Sequence, residues 1–152
     1  MRASKIMTLE VVAVPADLSI EKTHQLMRKL EVRHLPVVSE GRLAGIVSDR
    51  DLLLVMGKAH AGSEAFIYPP LSVGQVMSLA PISAGPDVPV SRLARMMLEA
   101  KIDSLPIVSA KHELIGLVTS SDLIRVLALL PDEVQPTFSY HLHRVDDLHA
   151  RA

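Results

Sequence analysis

Cysteine and tryptophan are absent from this 152-residue chain, and its aromatic residues amount to two Phe and two Tyr. Without cysteine there are no disulfides, no thiolate metal sites and no cysteine nucleophile. With 3% aromatics the core is aliphatic, and a flat ligand is held by Val, Ile, Leu, Met and Pro. Stacking of unpaired bases on aromatic platforms, the usual device of single-strand RNA and DNA binders, is not available at scale. No charge of one sign prevails either. Sixteen Lys and Arg stand against 17 Asp and Glu, a formal net charge of −1, which opposes a generalised basic surface for nucleic acid. Long apolar runs are missing too: the N-terminus has no signal-peptide core, and Leu52 to Met56 is too short to span a bilayer. What remains is 49% apolar residues, enough for one ordinary domain with a real core and too many for disorder. The expectation is a cytoplasmic protein with neither membrane nor nucleic acid as partner.

The chain repeats itself. His34-Leu35-Pro36-Val37-Val38-Ser39 leads into Gly45-Ile46-Val47-Ser48-Asp49-Arg50-Asp51, and Ser104-Leu105-Pro106-Ile107-Val108-Ser109 leads into Gly116-Leu117-Val118-Thr119-Ser120-Ser121-Asp122. Met7/Met77, Val12/Ile82, Asp17/Asp87, Met27/Met97 and Pro36/Pro106 share an offset of 70. One residue is then inserted where Lys111-His112-Glu113 replaces Gly41-Arg42, and Gly45/Gly116 and Asp51/Asp122 share an offset of 71. A polar turn between two apolar runs is where a hairpin tolerates an insertion. The boundaries that follow are 1–71 and 72–131 for the two copies, with a tail over 132–152.

Each copy reads strand, helix, strand, strand, helix. Val11 to Val14 is a short apolar run closed by Pro15. Ser19 to Leu30 carries Ile20, Thr23, Met27 and Leu30 near the helical period, and Val90, Leu93, Met97 and Ala100 agree, with Pro89 in the first turn. Leu35 to Val38 and Leu43 to Val47 read as a hairpin, as do Leu105 to Val108 and Leu114 to Val118. Asp49 to Met56 and Ser120 to Leu130 close the copies as helices. A fainter echo, Phe66-Ile67-Tyr68 against Phe138-Ser139-Tyr140, holds all four aromatics. Neither copy buries enough apolar surface to stand alone, so the two are expected to share a core.

From about Ile6 to Leu130 the sequence resembles a tandem pair of CBS domains, named after cystathionine β-synthase and often called a Bateman module. The resemblance implies an α/β (α+β) fold in which two β-α-β-β-α repeats pack as a pseudo-twofold pair. It implies two clefts of the kind that commonly bind AMP, ADP, ATP or S-adenosylmethionine, and a regulatory role toward a partner protein. Homodimerisation is usual in the family. An exposed Leu52-Leu53-Leu54-Val55-Met56 face would fit such an interface, and burial in the core explains it equally.

Two readings compete for Ser48/Asp51 and Thr119/Asp122. A Ser or Thr at a strand-to-helix junction, with an acidic residue three positions on, is a capping box. The same geometry offers free N–H groups and a positive helix end to a phosphate, and a carboxylate to a ribose diol. Gly45 and Gly116 either admit a close backbone approach or mark a bulge. The copies differ: Arg33, His34 and Arg50 in the first are Asp103, Ser104 and Ser121 in the second. Residues just before Leu-Pro often reach phosphates in related modules, where arginine grips and aspartate repels. The Ser48/Asp51 cleft is therefore expected to prefer a phosphorylated ligand, and the Thr119/Asp122 cleft to be empty or to take a less anionic adenosine compound. Val12, Val14, Pro36 and Val37, with Ile82, Ala84, Pro106 and Ile107, are expected along the adenine slots, although core packing accounts for them on composition alone.

The remaining signals are weaker. His141 and His143, with His149 or Asp146, have spacing that suits a metal, but a solvated tail explains them and no metal is expected. No nucleophile–base–orienter trio and no phosphate loop of the Walker type is present, so no enzyme is expected. The main alternative is an interaction or dimerisation module whose clefts bind no ligand.

Overall fold

In the computed structural model, residues 1–61 and 71–131 are described. The two aromatic segments and the histidines of the tail lie outside them. The first repeat runs β1 (Val14–Pro15), α1 (Ile20–Leu30), β2 (His34–Ser39), β3 (Arg42–Ser48) and α2 (Asp49–Ala61). The second follows with β4 (Ser78–Leu79), α3 (Val90–Ala100), β5 (Ser104–Val108), β6 (Leu114–Thr119) and α4 (Ser120–Ala128). The mixed α/β architecture of two matching repeats is the expected one.

Local chemistry sets these elements. The Ser19 hydroxyl accepts from the Lys22 N–H at 3.3 Å at the start of α1, and Glu31 closes that helix in the left-handed region at φ 55°. Lys101 closes α3 in the same way at φ 55°. Pro89 sits at the cap position rather than within the first turn, its ψ of 141° still extended. Helix α2 passes the expected end at Met56, because Gly57 does not adopt the positive φ that stops a helix. Strand β1 is shorter than Val11 to Val14. Only Val14 and Pro15 pair with β2, and the residues before them leave the sheet.

The two sheets are the same object at different degrees of completion. The first has four strands in the order β1-β2-β3-β4, β1 parallel to β2 and the others antiparallel. The second keeps the β5-β6 hairpin, and its outer members shrink to single bridges, Ala84 to Ile107 and Thr8 to Leu117. Both hairpins carry their irregularity at the same place, between Val37 and Val38 and between Ile107 and Val108.

The repeats are joined by a reciprocal exchange of their leading segments. Residues 1–8 pack on the second repeat: Ala3 N–H donates to Val88 O at 2.8 Å, Ser4 N–H to Pro86 O at 2.9 Å, and Met1 O accepts from Val90 N–H. Residues 71–79 do the same on the first: Val73 N–H donates to Leu18 O at 2.7 Å, Gly74 N–H to Ala16 O at 2.8 Å, and Leu71 O accepts from Ile20 N–H. Ala3 thus lies in one core with Ala84, Leu93, Met97, Leu105, Ile107 and Val118, and Val73 in the other with Val14, Met27, Leu35, Val37, Val47 and Leu52. The repeats therefore hold two separate cores and not the shared one expected, each completed by the leading segment of the other.

This exchange explains the motif glycines. A Cβ on Gly45 would collide with Met77 Sδ and stand 2.9 Å from the Ser78 carbonyl oxygen; on Gly116 the nearest atoms it would meet all belong to the Met7 side chain, Sδ at 2.6 Å. The close approach that the glycines permit is that of the crossing chain. Gly45→Ala is expected to cost about 1–3 kcal/mol in urea denaturation, because backbone must move. Gly116→Ala is expected to cost less, since a flexible methionine can yield.

Candidate functional site

Two clefts open between the repeats, and each is built from both. The first, about 440 Å³, is lined by Ser48, Arg50 and Asp51 at the start of α2 together with Ser78 to Ile82 of the crossing segment and Lys101. The second, about 430 Å³, is lined by Thr119, Ser121, Asp122 and Arg125 of the second repeat together with Thr8, Glu10, Val11, Val12 and Glu31. Arg33, His34 and Asp103 line both. These volumes fall within the roughly 300–1,000 Å³ of small-molecule sites.

Nine of the fifteen expected residues line these clefts. Ser48, Asp51, Arg33, His34, Arg50 and Ile82 line the first cleft, and Thr119, Asp122 and Val12 the second, with Arg33 and His34 in common. Ile82 and Val12 keep 48% and 43% of their surface exposed, which leaves each an apolar wall for a ligand. Val14, Val37, Ala84 and Ile107 are core residues instead, at 2%, 0%, 6% and 0% exposure. Pro36 and Pro106 are buried as well, and neither cleft includes any of these six. Sheet pairing of Val14 with Val37 and of Ala84 with Ile107 fixes those side chains inward. Val12 and Ile82, two residues earlier, have already left the sheet and reach the opposite repeat's motif.

The capping reading of the motif is realised in both repeats. Asp51 Oδ2 accepts from Ser48 N–H at 2.9 Å and from its hydroxyl at 2.6 Å, while Ser48 Oγ accepts from Asp51 N–H at 3.1 Å. Asp122 Oδ2 accepts from Thr119 N–H at 2.8 Å and from its hydroxyl at 2.7 Å. The expectation of free N–H groups needs correction. In the second repeat Ser120 N–H donates to Asp103 O at 2.9 Å. In the first, Asp49 N–H donates to Arg33 O at 3.0 Å, and Arg50 N–H to the Asp49 carboxylate at 2.8 Å. These N–H groups at the start of α2 are thus already engaged, and the cations of the first cleft are side chains.

The second carboxylate oxygen distinguishes the clefts. Asp51 Oδ1 has no partner among the described residues, whereas Asp122 Oδ1 accepts from Arg125 at 2.8 Å. Arginine at that position has Leu54 as its counterpart in the first repeat, so only the second repeat sets a cation against the second oxygen of its motif carboxylate. Charge differs too. The first cleft holds the cations Arg33, Arg50 and Lys101 against Asp49, Asp51 and Asp103; the second holds Arg33 and Arg125 against Glu10, Glu31, Asp103 and Asp122. Lys101, Glu31, Glu10 and Arg125 were not singled out from sequence. Lys101 and Glu31 are equivalent helix-closing residues of opposite charge, a contrast that aligning the two copies displays.

His34 stands where the clefts meet. Burial pushes its imidazole below the ordinary 6.5; Asp103 and Asp49 pull the other way, Arg33 adds to the depression, and Asp51 opposes it. The unfolded chain therefore binds more protons than the folded one just below pH 6.5. The stability associated with neutral His34 is fully present above that value and is lost as pH falls through the depressed folded value. Urea midpoints from about pH 8 to about pH 5 are expected to fall, and His34→Gln is expected to flatten that part of the profile.

Among the described residues, no group of three His, Cys, Asp or Glu side chains is placed to hold a metal ion, and no helix is long and apolar enough to cross a membrane.

Paired α/β repeats that exchange leading segments around two inter-repeat clefts define a tandem module rather than a single-site domain. The CBS domain model matches residues 3–58 and 73–129, and the chain belongs to that family. It is 30% identical over 118 residues to the CBS domain-containing protein YhcV of Bacillus subtilis, covering 77% of this chain and 79% of that protein. It is 35% identical over 122 residues, 80% of its length, to an inosine-5'-monophosphate dehydrogenase of Korarchaeum cryptofilum, but spans only 23% of that enzyme. Among solved structures, the CBS domain pair of protein MJ0100, in complex with 5'-methylthioadenosine and S-adenosyl-L-methionine, superposes with a TM-score of 0.72 at 26% identity, covering 84% of this chain and 96% of that one. CBSX2 of Arabidopsis thaliana matches in its AMP complex with a TM-score of 0.72 at 28% identity, with the same coverage.

Proposed function

We propose that this chain is a non-catalytic regulatory module that binds adenosine compounds between its two repeats. The observation that carries the reading is the composition of each cleft: a hydroxyl–carboxylate pair from one repeat lines it together with an exposed aliphatic side chain from the other, Asp51 with Ile82 and Asp122 with Val12. That pairing suits a ribose on one side and an apolar base on the other. Its relatives' ligands, AMP in one and methylthioadenosine with S-adenosylmethionine in another, are of the same class. A ligand touching both repeats binds their closed arrangement more tightly and shifts its population, which a partner protein would read.

Thermal unfolding with AMP, ADP, ATP and S-adenosylmethionine tests this. A compound at about 100 times its Kd stabilises by about 2.7 kcal/mol, a rise of about 5–10 °C for a chain of this size. Four compounds without effect would remove the reading.

A second reading rests on a separate observation. Leu53 and Leu54 on α2 and Ile124 and Leu127 on α4 are more than half exposed, while Leu52 is fully buried. The run Leu52 to Met56 thus divides between core and surface, and its outward part, with its α4 counterpart, suits a homodimer contact. Sedimentation of the chain with Leu53→Glu and Ile124→Glu as controls tests it: a dimer lost in the variants supports the contact, and a monomeric parent removes it.

A further inference from the structure

The two clefts are joined by what they share. Arg33 and Asp103 occupy the same position in the two repeats, immediately before β2 and β5, and each borders both clefts. Their carbonyls are tied to the adjoining helices by equivalent bonds, to Asp49 N–H at 3.0 Å and to Ser120 N–H at 2.9 Å. One wall of each cleft is therefore a single fixed partition carrying one arginine and one aspartate.

One guanidinium satisfies one phosphate in the bidentate manner. When Arg33 turns to the first cleft, a phosphate there is also met by Arg50 and Lys101. The second cleft then keeps Arg125, whose guanidinium is held by Asp122 at 2.8 Å, together with the carboxylates of Glu10, Glu31 and Asp103. The three cations of the first cleft balance its three carboxylates, whereas a second phosphate entering the other cleft meets a net negative wall and the charge of the first ligand across the partition. A neutral thioether or a sulfonium cation in that place meets no such opposition.

Resting on the adenosine reading above, we infer that the clefts share Arg33 as their phosphate-binding cation and so take ligands of unlike charge. A phosphorylated adenosine occupies the Ser48/Asp51 cleft, and a neutral or cationic adenosine compound occupies the Thr119/Asp122 cleft at the same time. Such a module reports on two metabolite classes at once.

The test titrates the full chain with AMP and S-adenosylmethionine, separately and in sequence. AMP is expected to saturate one site per chain, with any second equivalent bound at least about tenfold more weakly, a coupling of ordinary size. S-adenosylmethionine is expected to bind a further equivalent on AMP-saturated protein with undiminished affinity. Arg33 is exposed, so Arg33→Ala leaves the cores untouched; it is expected to weaken AMP about tenfold or more and leave S-adenosylmethionine unchanged. Two equivalents of AMP of equal affinity, one-for-one displacement of AMP by S-adenosylmethionine, or an AMP affinity indifferent to Arg33→Ala would each overturn the inference while the adenosine reading stood. No heat with either compound would overturn both.

Discussion

Deletion of residues 1–8 is expected to lower the thermal midpoint by at least about 10 °C, through collapse of the second repeat to which those residues are not sequence neighbours. Ala3 is fully buried in the core formed by Leu93, Leu105, Ile107 and Val118, and Ile6 and Met7 pack against it. The deletion leaves a cavity where these side chains sat, and each large apolar residue lost from a core costs about 2–5 kcal/mol. It also strips partners from the N–H of Val90 and Leu117, which donate to Met1 O and Thr8 O. A domain of ordinary stability, about 5–15 kcal/mol, survives little of this. Arg2→Ala is the control. Its ion pair with Asp87 at 2.8 Å is formed by side chains 66% and 80% exposed, and its loss is expected to leave the midpoint unchanged within error. Hydrogen exchange then locates the damage. Loss of protection concentrated in β5, β6 and α3 is the expected pattern; loss confined to the first repeat would show that the exchanged segments are not what stabilises the module.

The repeat and its elements were legible because they are written locally. Apolar runs closed by Pro15 or by polar turns, and the helical phase of Ile20, Thr23 and Met27, need no partner to be read, and Thr23 and Met27 duly lie in the core. Pairing across the chain was not legible. Nothing in the spacing of Met7 or Met77 says that each crosses to the other repeat's glycine, since the alignment of Met7 with Met77 is equally satisfied by a segment that stays at home. The same exchange separates Val12 from Val14 and Ile82 from Ala84: one member of each pair is captured by its own sheet, and the other is carried into the opposite cleft. Charges that decide ligand preference were hidden for a different reason. Lys101 and Glu31 read as helix-ending surface residues, and only their placement beside a cleft gives their opposite signs a consequence.

Asp51→Ala is expected to weaken AMP binding by about 10- to 100-fold, the worth of a hydrogen bond to a charged acceptor, whereas Asp122→Ala is expected to change it little. Both substitutions remove the carboxylate of a capping box and so lose about 1 kcal/mol of stability alike. Their difference must then come from the oxygen that does not cap. Asp51 Oδ1 has no partner among the described residues, and Asp51 lines the cleft that also holds Arg33, Arg50 and Lys101, so on the adenosine reading a ribose hydroxyl would donate to it without displacing anything. Asp122 Oδ1 already accepts from Arg125, so on the same reading a ribose hydroxyl there would share the oxygen with a charged competitor. Removing that competitor makes the converse prediction: Arg125→Leu, which imitates Leu54 of the first repeat, is expected to strengthen binding of S-adenosylmethionine in the second cleft. Calorimetric titration of each variant, alongside urea denaturation to subtract the capping contribution, separates the two roles of the motif. Equal and modest losses of stability with no loss of AMP affinity in Asp51→Ala would leave both aspartates as helix caps, and the clefts would then belong to the interaction module that the exposed faces of α2 and α4 already suggest.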